Sequence, residues 1–178
     1  QAPVEPIDYV REMDKWWDRW LKGVPNDVEF DPPVTLYVQG SGKWRNEQEW
    51  PIARAKDTSL FAVKGGGLAD TVNSVKSDSD RYEYDARVGL AATAYDSVLS
   101  PIEYPADQTQ DDLLSLRYEA EPLTESMEIT GQPLVKLFFN TDAPLDEVDL
   151  VVKLLDVTPE GHSYLVSFDS LQASRTEV

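Results

Sequence analysis

The chain carries one histidine, His162, the side-chain type whose charge ordinarily changes near neutrality. It sits in Thr158-Pro159-Glu160-Gly161-His162, a run whose proline and glycine read as a turn between two strands. Hydrolysis through a covalent intermediate needs a base beside a serine or cysteine nucleophile. Cysteine is absent, and no Gly-x-Ser-x-Gly elbow exists; Gly40-Ser41-Gly42 lacks its spacing and no helix pattern follows it. No catalytic residue is therefore assigned, and His162 reads as a solvated turn residue. Asp142, Asp146 and Asp149 cluster, as do Asp78 and Asp80, but neither run has the calcium-loop spacing with its closing glutamate. These acids read as solvated turns. Gly65-Gly66-Gly67 has no Lys-Ser/Thr after it, so it reads as a hairpin turn rather than a phosphate loop. The 33 acidic residues supply many carboxylate pairs, but glycoside hydrolysis depends on a spatial separation that no spacing here marks out. No metal and no cofactor is expected.

Composition narrows the partners. Sixteen basic against 33 acidic residues give a formal charge of -17, a surface that repels phosphate backbones, so no nucleic acid is expected. The richest apolar stretch, Val148–Val157, is interrupted by Asp149, Lys153 and Asp156 and falls short of a membrane span of about 18 residues. The chain reads as soluble, from a bacterial cytoplasm, periplasm or secreted fraction. Hydrophobic residues at 41% and charged residues at 28% are ordinary for a folded domain.

Two kinds of element must position these side chains. Ile7, Val10, Met13, Trp17, Trp20 and Leu21 recur every three or four residues, which predicts one helix over Asp8–Lys22. Asp8 suits the N-cap, Gly23 the left-handed position after the last turn, and Pro25 follows. Beyond Gly23, prolines and glycines punctuate short β-branched or alternating stretches. Strands are expected at Val34–Gln39, Leu60–Val63, Arg81–Asp85, Ser115–Glu119, Met127–Thr130, Pro133–Asn140, Val148–Val157 and Ser163–Phe168. Ala86–Gln110 fits neither period and reads as a long loop, a common place for function on a β scaffold.

Three stretches in order carry a family resemblance. The first is Trp16-Trp17-Asp18-Arg19-Trp20-Leu21-Lys22-Gly23 with Pro32-Pro33-Val34 and Leu36-Tyr37-Val38-Gln39-Gly40. The second is Trp44-Arg45, Trp50-Pro51, Leu60-Phe61 and Gly67-Leu68. The third is Asp112-Leu113, Tyr118, Glu121-Pro122-Leu123, Glu128-Ile129-Thr130-Gly131, Asp142 and Leu154-Leu155-Asp156-Val157-x-Pro159-x-Gly161. Together they resemble the C-terminal non-catalytic β domain of the X-Pro dipeptidyl-peptidase, cocaine-esterase-like and α-amino-acid ester hydrolase family of serine hydrolases. Two departures stand out. Tyr82-Glu83-Tyr84-Asp85 is followed by Ala86 where the family has proline, and the chain stops at Val178, soon after Ser174-Arg175, where the family pattern continues.

The resemblance implies a mainly β fold, an antiparallel jelly-roll sandwich of the galactose-binding-like kind preceded by one amphipathic helix. Residues 1–24 would be the tail of a missing α/β-hydrolase domain, and residues 25–178 the jelly roll, either truncated or naturally abbreviated. The implied partner is the catalytic domain of the parent chain, which would supply the Ser-His-Asp triad. Trp16, Trp17, Trp20, Trp44 and Trp50 are candidates for that domain interface, with self-association through the helix or a strand edge as an expectation when it is absent. Leu90, Tyr95, Leu99 and Tyr104 are candidates for the substrate rim, because the family's corresponding loop reaches the mouth of the catalytic pocket. The alternative is a stand-alone jelly-roll binding module, for example for carbohydrate, with Trp44 and Trp50 as its platform.

Overall fold

A computed structural model of the chain describes residues 6–71, 78–89 and 107–175. The described structure is mainly β with few helices, and its sheets are antiparallel. The chain divides into two compact units, Gln1–Lys56 and Asp57–Val178.

In the first unit, helix α1 spans Tyr9–Trp20. The Asp8 carboxylate accepts a hydrogen bond from the Arg11 amide at 3.1 Å, satisfying one of the donors a helix start leaves open. Gly23 takes φ 70° just past the end, a left-handed conformation that costs glycine no Cβ clash. The helix is fastened to the following turn by polar contacts. Lys15 pairs with Asp31 at 2.5 Å, Arg19 with Glu29 at 2.6 Å, and the Asn26 amide donates to the Lys15 carbonyl at 2.8 Å. None of the helix's residues is buried.

Strands β1 (Val34–Val38) and β2 (Lys43–Glu47) form an antiparallel hairpin in which Val34 faces Glu47 and Val38 faces Lys43. The connection closes with the Gly42 amide donating to the Val38 carbonyl at 2.9 Å, with Gly42 at φ 67°. Strand β2 is polar and lies outside the expected strands. Its pairing is set by β1 and the turn, since a strand's fit depends on what lies across from it.

The second unit holds β3 (Phe61–Val63) with β4 (Gly67–Ala69), and β5 (Asp149–Val157) with β6 (Ser163–Gln172). Gly65 and Gly66, at φ 86° and 99°, make the turn of the first pair, in keeping with the glycine triplet. Asp80 secures that turn by accepting from the Gly65 amide at 3.2 Å and the Tyr118 hydroxyl at 3.0 Å. In the second pair the register shifts between Leu154 and Leu155. A short helix, α2 (Thr109–Asp112), lies against β6. Arg81–Asp85, Ser115–Glu119, Met127–Thr130 and Pro133–Asn140 are not strands here, apart from a single bridge between Glu119 and Gly67. Their composition suits a pleated surface, but a strand exists only where a neighbour completes its hydrogen bonds. The described residues thus form three separate hairpins and no barrel. Among them, no helix is long and apolar enough to cross a membrane.

Candidate functional site

The tryptophans of α1 lie on a face that the described residues leave about half exposed. Trp16, Trp17 and Trp20 are 50%, 45% and 53% exposed, where tryptophan is ordinarily mostly buried. Trp16 and Trp20, one turn apart, meet with ring centroids 5.8 Å apart. Ile7, Tyr9, Glu12, Met13, Trp16 and Trp17 line a recess of about 350 Å³ on this face. The helix is thus fastened through its polar side chains and leaves an apolar, aromatic face partly open.

Trp44 stands on β2, 39% exposed, with its ring 5.4 Å from that of Tyr37 across the hairpin. Trp50, at 44% exposure, lies beyond the strand. Between them in the chain sits Glu47, nearly fully buried. Its carboxylate accepts from both terminal nitrogens of Arg54, one at 2.6 Å, and lies 2.6 Å from the Arg45 Nε. The Arg54 hydrogen bonds, helped by the charge of Arg45, hold this carboxyl below its ordinary range. Sequence reading missed this group, whose signal was the Arg45-x-Glu47 spacing on one face of a strand.

Leu90, Tyr95, Leu99 and Tyr104 lie outside the described residues. The next described segment, beginning at Asp107, is firmly held. Asp107 forms an antiparallel bridge with Tyr164, the Gln108 amide donates to the Ser163 carbonyl at 2.7 Å, and the Ser163 amide donates to the Thr109 hydroxyl at 3.0 Å. Lys153 reaches across from β5, donating to Gln108 Oε1 at 2.7 Å and standing 3.6 Å from Asp111. Gln108, Asp111 and Ser163 are all at most 3% exposed. A lysine interrupting the apolar run of β5 was the one visible sign of this polar cluster; its acidic partner lies 42 positions away by number (153 − 111) and could not be paired by spacing.

His162 is in its turn, and its ring meets a carboxylate: Nδ1 lies 3.2 Å from Asp107 Oδ2. Of the acidic runs, Asp78 and Asp80 both stand beside the Lys64–Gly65 turn. Asp78 pairs with Lys64 at 2.7 Å, and Asp142, almost fully exposed, lies 3.6 Å from Arg81. Among the described residues no group of three or more acidic or histidine side chains is arranged to hold a metal ion.

Comparisons with known proteins agree on one family. The description "X-Pro dipeptidyl-peptidase C-terminal non-catalytic domain" matches residues 26–176. The cocaine esterase of a Rhodococcus species is 29% identical over 176 residues, covering 91% of this chain and 30% of that protein. A "putative serine esterase" of Mycobacterium bovis and another of Mycobacterium tuberculosis are each 25% identical over 171 residues, covering 94% of this chain and 27% of theirs. The chain thus spans about three-tenths of the length of these relatives. No solved structure gives a significant match. The family match does not favour the alternative of a stand-alone carbohydrate module.

Proposed function

Because the chain belongs to the family of X-Pro dipeptidyl-peptidase C-terminal non-catalytic domains, we propose that it serves as the accessory part of a larger serine hydrolase. In this reading the parent cleaves an ester or amide acyl bond with a Ser-His-Asp triad carried by an α/β-hydrolase domain. It is a peptidase, an esterase or an acylase, and the names of the relatives favour an esterase. Residues 1–24 close the catalytic domain, residues 25–178 complete a jelly roll within the whole protein, and the role of the domain is to stabilise the enzyme and shape its active-site rim.

The observation that carries the docking part is the half-exposed aromatic face of α1. Three tryptophans left about half in water are costly, since completing their burial would gain about half of the roughly 1.5–3 kcal/mol that fully burying a large side chain gains. A catalytic domain seated there recovers that energy, with Trp44 and Trp50 as further contacts. The rim part rests on Leu90, Tyr95, Leu99 and Tyr104, apolar or amphipathic residues in a long segment before the firmly held Asp107.

The test compares the isolated chain with the intact parent. The isolated chain should hydrolyse no activated ester, and its tryptophans should be open to a quencher or shielded only by self-association. In the parent they should be protected, and Leu90→Ala and Tyr95→Ala should change the ratio of kcat/KM between bulky and small acyl substrates. Turnover by the isolated chain that disappears with His162→Ala would refute the accessory role. A monomeric isolated chain with protected tryptophans would refute the docking face, and equal losses for all substrates would refute the rim.

A further inference from the structure

We draw no further inference here: the strongest candidate, the aromatic recess on α1 lined by Tyr9, Met13, Trp16 and Trp17, belongs to the docking face already described, and nothing among the described residues shows the chemistry of what would fill it.

Discussion

Replacing Lys153 by methionine removes the cation of the buried cluster while keeping most of the side chain's length. The ammonium stands 3.6 Å from Asp111, beyond ordinary hydrogen-bond distance but close enough for an ion pair. At an effective dielectric of about 20, two unit charges at that separation attract by about 4–5 kcal/mol. Part of this is lost because Lys153 keeps 24% of its side-chain surface in water, and desolvation of both groups opposes the gain. The variant also loses the 2.7 Å hydrogen bond to Gln108. Most of the penalty arises at Asp111, whose side chain is 2% exposed and whose oxygens accept no hydrogen bond among the described residues. Leaving such a carboxylate without its cation should cost about 2–4 kcal/mol, toward the lower end of what breaking a buried pair usually costs. Urea unfolding measures this as a fall in the midpoint at unchanged slope. Adding Asp111→Asn to Lys153→Met should restore at least half of the loss, because the uncompensated charge is gone. A loss under about 1 kcal/mol would refute the reasoning, as would a double variant no more stable than Lys153→Met alone.

Glycine geometry and carboxylate pairing set two further expectations. Gly66→Ala should lower stability by at least about 1 kcal/mol, since Gly66 has φ 99° and an added Cβ would lie 3.1 Å from the Arg117 carbonyl oxygen. Gly40→Ala, with open space and no positive φ, should leave the melting temperature nearly unchanged. Stability should also fall in acid. Arg87 holds Asp85 at about 2, and Arg54, Lys64 and Thr109 lower Glu47, Asp78 and Asp107. Carboxyls lowered on folding stabilise the protein above their unfolded values, 3.8 for aspartate and 4.5 for glutamate, and that contribution is lost as pH falls through the folded values. An unfolding midpoint that stays level from about pH 5 to about pH 2 would contradict this.

Local chemistry was legible in the chain itself. Asp8, the three-and-four spacing of Met13, Trp17 and Trp20, and Gly23 are signals read within one helix, so the sequence predicted α1 with its cap and its stop. The apolar runs at Val34–Val38 and Asp149–Val157 and the glycine turn at Gly65–Gly66 were equally local. The ordered motifs from Trp16 to Gly161 also carried the family, which the match over residues 26–176 bears out. Tertiary structure decided what depends on a distant partner. Lys43–Glu47 became a strand because β1 lies across from it, whereas Pro133–Asn140, with far better strand composition, did not. Lys153 looked like an interruption of an apolar strand, and only the fold brings it to Gln108 and Asp111. His162 looked like a plain turn residue until Asp107, 55 positions earlier, closed on its ring. A residue's neighbours along the chain set its conformational preferences, but electrostatic and hydrogen-bond partners are chosen in space, across separations over which the sequence carries no period.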